Sequence, residues 1–235
     1  MGFAFVNPTL RSSSLQFGFG SLDDDVSDLE DLLQYLTSLN PSTTPPPTFV
    51  LVGHSTGCQQ TVHYLRTSPN AEAITGAILQ APASDRETTE DNAKWCEMAE
   101  NMINEGKADE FLPRAAFWAP ITASRFSSLY TRVADGDDYF SSDLTDSQLS
   151  ARLSHIPSLI SSPTAALKFC IAAYSMNDEY VPPSVDKDAL LSRFETIGGL
   201  EVWKLAGVHN LMPSSTYPTS HTDFVANVEA KLKTL

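Results

Sequence analysis

A serine hydroxyl is a poor nucleophile at neutral pH until a base takes its proton, and that base works best when a carboxylate orients it. Ser55, His209 and Asp178 are the residues of this 235-residue chain whose types and positions suit those three roles. Ser55 sits in Gly53-His54-Ser55-Thr56-Gly57, a G-x-S-x-G match. The bare pattern is equally that of an inert Gly/Ser turn. Its flanks give it weight: residues 49–52 (Phe-Val-Leu-Val) form a short apolar run suited to a buried strand, and residues 58–66 read as helix. A sharp strand-to-helix turn strains the serine, glycines on either side let the chain pass closely, and the hydroxyl stands above a helix N-terminus that favours negative charge.

Partners for Ser55 must come from elements that end near it. In open parallel sheets, ligands gather beyond the carboxyl ends of the strands, so base and acid are sought in the loops that follow strands. Residues 168–175 (Lys-Phe-Cys-Ile-Ala-Ala-Tyr-Ser) read as a strand leading to the loop with Asp178. Residues 200–205 read as the last strand, leading to Ala206-Gly207-Val208-His209. Serine, then aspartate, then histidine is the chain order of an α/β-hydrolase triad. The other histidines are placed less well: His54 inside the elbow, His63 one helix onward, His155 within an insertion and His221 beside the final helix. For the acid, Asp178 is favoured over its neighbour Glu179 and over Asp85, which follows an earlier strand. A serine at the elbow also argues against haloalkane dehalogenases and epoxide hydrolases, whose nucleophile is a carboxylate.

Strands alternating with helices predict an α/β fold of the α/β-hydrolase type: a mainly parallel sheet with helices on both faces. A first strand is expected at residues 3–6. A helix follows, with Ser21 as N-cap, Asp23, Asp24 and Asp25 in its first turn, and Val26, Leu29, Leu33 and Leu36 along one face. Prolines within residues 40–47 stop it. Residues 76–81 form the next buried strand, residues 184–194 a helix, and Phe224, Val228 and Leu232 mark a closing one. Residues 84–162 lack buried-strand runs and read as an inserted lid over a core made of 1–83 and 163–235. The insertion's aromatics either cover substrate or form its own small core. Asp135-Gly136-Asp137-Asp138 suggests calcium only superficially, because Tyr139 and Phe140 stand where the EF-hand loop needs an oxygen ligand and a glycine.

Composition excludes several function classes. Hydrophobic residues make up 42%, enough for a sizeable core, and the net charge of −14 argues against nucleic acid and anionic membranes as partners. Cys58, Cys96 and Cys170 make an odd count without a CxxC, which fits core residues in a reducing compartment. There is no signal-peptide pattern at the start and no run of transmembrane length. Val6 spoils a myristoylation signal, and prolines spoil the glycosylation patterns at Asn7 and Asn40. The expectation is a soluble cytoplasmic protein, and a serine–histidine–aspartate mechanism requires no metal or organic cofactor.

The elbow Gly-His-Ser-Thr-Gly-Cys-Gln, the run Gly-Ala-Ile-Leu-Gln-Ala-Pro with Ser84-Asp85-Arg86, the run Phe140-Ser141-Ser142-Asp143-Leu144 and the loop Asp178-Glu179-Tyr180-Val181-Pro182 occur together. In this combination the chain resembles, over nearly its whole length, a fungal and plant family of α/β-hydrolases that includes the intracellular esterase acting on fusarinine-type siderophores. The resemblance implies a serine carboxylic-ester hydrolase acting on a small-molecule ester, with Ser55, Asp178 and His209 as triad and Thr56 N–H as an oxyanion-hole donor. Family members carry further strands before the segment matching residues 3–10, and a Gly-rich loop that supplies a second oxyanion donor. The expectation is therefore an N-terminally truncated form, and one lost donor costs on the order of 100- to 1000-fold in turnover. Acyl transfer and a non-catalytic role remain as rivals to hydrolysis.

Overall fold

A computed structural model of the chain describes residues 2–39, 47–131 and 136–235. At its centre lie four parallel strands whose spatial order matches their chain order. They are β1 (Phe49–His54), β2 (Ile74–Gln80), β3 (Phe169–Ser175) and β4 (Glu201–Leu205). Around them run α1 (Leu22–Ser38), α2 (Thr56–Thr67), α3 (Ala93–Asn104), α4 (Ala123–Tyr130), α5 (Asp146–Leu153), α6 (His155–Ser161), α7 (Lys187–Thr196) and α8 (Ser220–Leu232).

The two central strands are covered on both faces, which is why their sequences are near-continuous apolar runs. Alternate side chains divide between two cores, as the strand period of two requires. Leu79, Cys170, Ala172 and Tyr174 pack with residues of α1 and α2, while Ile78, Ile171 and Ala173 pack with Phe224 and Val228 of α8. The start of α1 follows the sequence expectation closely. Ser21 Oγ accepts from Asp24 N–H at 3.1 Å and Asp24 returns the bond to Ser21 N–H, a reciprocal cap. The proline stop expected after α1 falls largely on residues 40–46, outside the described residues. Helix α7 starts later than expected, at the Asp186 cap, whose carboxylate accepts from Ala189 N–H at 3.0 Å.

The strand expected at residues 3–6 is not formed. Those residues are exposed, Phe5 by 87%. An extended segment gains its hydrogen bonds only from a neighbouring strand. Among the described residues β1 is the edge of the sheet, with Val52 half exposed, and no strand bridges it to residues 3–6.

Between β2 and β3 the described chain is helical or irregular apart from one antiparallel bridge, Phe111 with Thr122. Most aromatics of this stretch turn inward. Phe126 and Tyr130 join Cys96, Leu112, Ile121 and Leu129 in a small core, and Tyr139 and Phe140 enter the main one. Phe111 and Trp118 stay outside, at 55% and 58% exposed. Asp138, buried, accepts from Arg86 Nε at 3.0 Å and from Ser84 Oγ at 2.9 Å, while Arg86 also holds Ser141 Oγ at 3.0 Å and pairs with Asp143. The motif Ser84-Asp85-Arg86 thus clasps the run 138–143. Asp137 pairs with Arg125, so both described carboxylates of the calcium-like stretch serve arginines, and Asp135 lies outside the described residues. All three cysteines are buried and free. No helix among the described residues is long and apolar enough to cross a membrane.

Candidate active site

Ser55 is the hinge between β1 and α2, with φ 54° and ψ −124°. A non-glycine residue in this region carries strain of order 1–3 kcal/mol, which the surroundings must hold in place. Two hydrogen bonds do so: Ser55 N–H donates to Gln80 O at 3.1 Å, and Cys58 N–H donates to Ser55 O at 2.8 Å. A Cβ at Gly53 would collide with the carbonyl of Gly57, so glycine is required at 53. Gly57 is different. Its nearest neighbour to an added Cβ is the flexible end of Gln60, at 3.8 Å. The sequence expectation of two space-making glycines holds for the first alone. Thr56 opens α2, where backbone N–H groups have no partner one turn back.

The loops after β3 and β4 continue the ladder past the strands. Met176 N–H donates to Leu205 O at 2.9 Å and Asn177 N–H to Gly207 O at 3.1 Å. This zipper delivers Asp178 to His209: Oδ2 lies 2.7 Å from Nδ1, with both side chains buried. Asp178 Oδ1 accepts from Tyr180 N–H at 2.9 Å. An ionised carboxylate only accepts, so Nδ1 is the nitrogen that donates toward Asp178, and in the neutral imidazole Nε2 is the acceptor.

Geometry separates the three candidate acids. Glu179 accepts the backbone N–H of His209 at 2.8 Å, anchoring the loop instead of the imidazole. Asp85 makes no hydrogen bond to the imidazole among the described residues. Burial raises its pKa and Asp138 adds to that, while Arg125 and His209 pull the other way.

The remaining histidines are dispersed, with one exception. His63 bridges Tyr139 and Asp23 at 2.7 Å each, His155 is partly buried on α6, and His221 is exposed on α8. His54 is the exception. Its ring centroid lies 4.9 Å from that of His209, with the Tyr180 ring also against His209, at 4.8 Å. His54 Nδ1 is hydrogen-bonded to Gln80 Oε1. Desolvation lowers the pKa of His54, and the Gln80 bond opposes that shift. Sequence reading set His54 aside as lying inside the elbow and did not single out Gln80, although each is the last residue of its strand and so lies at the same rim. No hydrogen bond joins Ser55 Oγ to His209 among the described residues, nor is there a group of three or more metal-ligating side chains among them.

Comparison with known proteins gives consistent results. A family described as "Protein of unknown function (DUF1749)" matches residues 1–223. The chain is 33% identical to UPF0613 protein PB24D3.06c of Schizosaccharomyces pombe, over 83% of this chain and 64% of that protein, so it spans less than two thirds of that relative's length. It is 30% identical to the fusarinine C esterase sidJ of Aspergillus fumigatus, over 92% of this chain and 74% of the relative. Among solved structures, the siderophore hydrolase EstB from Aspergillus fumigatus superposes with a TM-score of 0.74 at 28% identity, over 96% of this chain and 79% of EstB. The architecture is that of the α/β-hydrolases.

Proposed function

We propose that this chain, which belongs to the DUF1749 family, is a serine hydrolase that cleaves carboxylic esters through an acyl-enzyme on Ser55. The observation that carries the reading is the buried Asp178–His209 pair, on the rim where a strained Ser55 follows β1. His209 Nε2 removes the Ser55 proton as Oγ attacks the ester carbonyl. Asp178 stabilises the imidazolium that forms. Thr56 N–H, at the positive end of α2, donates to the oxyanion. The imidazolium then protonates the departing alkoxide, and a water activated by the same His209 hydrolyses the acyl-enzyme.

The relatives' names, a fusarinine C esterase and a siderophore hydrolase, favour a narrower substrate class, siderophore esters. Asp85, Asp178 and Glu179 make the neighbourhood of His209 acidic in a chain of net charge −14, which disfavours anionic esters. Residues 84–162, with Phe111 and Trp118 exposed, are the lid in this reading.

A fluorophosphonate probe tests it. Labelling that Ser55→Ala removes, together with turnover in an ester panel that includes hydroxamate siderophores, supports hydrolysis. Labelling with product transferred to an added alcohol or amine would redirect the reading to acyl transfer. The lack of a Ser55–His209 hydrogen bond favours one second reading, a binding member without turnover. Absence of both labelling and hydrolysis in the folded protein would establish that instead.

A further inference from the structure

Gln80 ends β2, is 6% exposed, and spans the whole rim. Its main-chain oxygen accepts Ser55 N–H at 3.1 Å and the Cys58 thiol at 3.1 Å. Its side-chain Nε2 donates to His209 O at 2.9 Å and to Ser175 Oγ at 3.2 Å. Its Oε1 faces His54 Nδ1. One residue is therefore bonded to the backbone of both Ser55 and His209, and to the imidazole lying against His209. These bonds also fix the amide's orientation. A carbonyl oxygen can only accept, so the NH2 group must face His209 O. Oε1 is then left for His54, whose Nδ1 must carry its proton. The next residue, Ala81, is forced to φ 53° and is pinned by its N–H to Ala173 O at 3.0 Å. Strain of this kind persists only where the surroundings over-determine it.

We propose that Gln80 is a positioning residue that sets the base against the nucleophile, clamping the His209 loop through its amide N–H while its own backbone holds Ser55. The inference rests on the reading of Ser55 as an acyl-forming nucleophile. Glutamine is the side chain the geometry calls for. Glutamate cannot donate to His209 O when ionised, asparagine is one methylene short, and methionine fills the volume with neither bond. A residue that merely satisfied a buried polar site would show itself in stability and leave turnover per active site unchanged.

The test compares Gln80→Met and Gln80→Glu with the parent chain. Active sites are counted by fluorophosphonate labelling, and kcat and KM are measured on p-nitrophenyl acetate. Gln80→Met is expected to lower kcat per labelled site on the order of 10- to 100-fold, the cost of a displacement near 1 Å, with KM within about threefold. Gln80→Glu is expected to lose at least as much, and to move the acidic limb of kcat/KM to higher pH, because a new negative charge favours the imidazolium. The groups already facing His209 are Asp178, Glu179, Tyr180 and His54, with Asp85 acting through space, and all are present in each variant. Nitrogen-15 NMR supplies a readout independent of catalysis: the Nδ1–H tautomer of His54 and slow exchange of the His209 loop amides are expected in the parent and lost in Gln80→Met. Parental kcat per labelled site in either variant overturns the proposal, and Gln80→Glu carries the comparison if Gln80→Met does not fold. A parent chain that neither labels nor hydrolyses overturns the esterase reading instead. The NMR comparison then decides on Gln80 alone, an unchanged spectrum rejecting the clamp.

Discussion

Replacing Asp178 by asparagine tests the catalytic arrangement with the least change in shape. Tyr180 N–H donates to Oδ1 of Asp178 at 2.9 Å, and it would donate equally to the amide oxygen of asparagine. That bond orients the new side chain and turns its NH2 group toward His209 Nδ1, now 2.7 Å from Oδ2. Two donors cannot face each other, so the imidazole must shift its proton to Nε2. The atom that takes the Ser55 proton in the proposed mechanism is then already protonated. The variant should fold, since the substitution is isosteric, yet kcat/KM should fall by about 10⁴-fold, equivalent to about 5.5 kcal/mol of transition-state stabilisation. Ester hydrolysis near pH 7.5, normalised to folded protein by circular dichroism, measures the loss. Glu179→Gln is the control: its amide oxygen can still accept the backbone N–H of His209, so a change within about threefold is expected. A loss below tenfold in Asp178→Asn, or an equal loss in Glu179→Gln, would refute the assignment of Asp178 as the orienting acid.

Gly53→Ala should destabilise the fold by more than about 2 kcal/mol, because its Cβ meets backbone that cannot yield, whereas Gly57→Ala should stay within about 0.5 kcal/mol; urea midpoints compare the two. Burial, with the charge of Arg66 adding to it, pushes the His155 pKa down to about 4, and its Nε2 lacks a hydrogen-bond partner. The folded state then binds its proton less readily than the unfolded chain near 6.5. The resulting stability is complete above about pH 6.5 and is lost as pH falls toward 4, with an upper bound of about 3 kcal/mol. His155→Phe should flatten the difference in unfolding midpoint between pH 7 and pH 4, and a slope parallel to the parent would contradict this. Arg86→Met strands the buried Asp138 carboxylate and should cost about 3–5 kcal/mol, while Lys204→Met, in an exposed pair with Asp188, should leave the thermal midpoint unmoved.

Features whose physics is local to the chain were legible in the sequence. The strand–turn–helix around Ser55, the Ser21 cap of α1 and the buried runs of β2 and β3 each depend on a few consecutive residues. The meeting of Asp178 with His209 was legible by one further rule, that in parallel sheets candidate site residues are sought in the loops after strands. Features that depend on a neighbour distant in sequence were not legible. Residues 3–6 are apolar enough for a strand, but a strand needs a ladder, and composition cannot say whether one is beside it. The aromatics from Phe111 to Tyr139 divide between two cores and solvent according to packing that no periodicity encodes. Gln80 and His54 were hidden for the same reason: their contact follows from the β1–β2 register, which pairs these two residues, and register is set between strands.

That register also explains why strain gathers at one place. Of the four described non-glycine residues with positive φ, Ser55, Ala81 and Leu211 lie just past β1, past β2 and in the loop that carries His209. Each is pinned by a backbone bond, Ser55 to Gln80 O, Ala81 to Ala173 O, and Leu211 to Val208 O at 3.0 Å. A chain leaving a parallel sheet has easier paths than three successive left-handed turns, and each of these costs of order 1–3 kcal/mol. Ser55 and Ala81 are held by bonds that continue the ladder of the central strands, and Leu211 by a bond within its own loop. The strained turns past β1 and β2 are thus tied to the sheet beneath them, and residues 54, 55 and 80 take their places at the rim from the β1–β2 register.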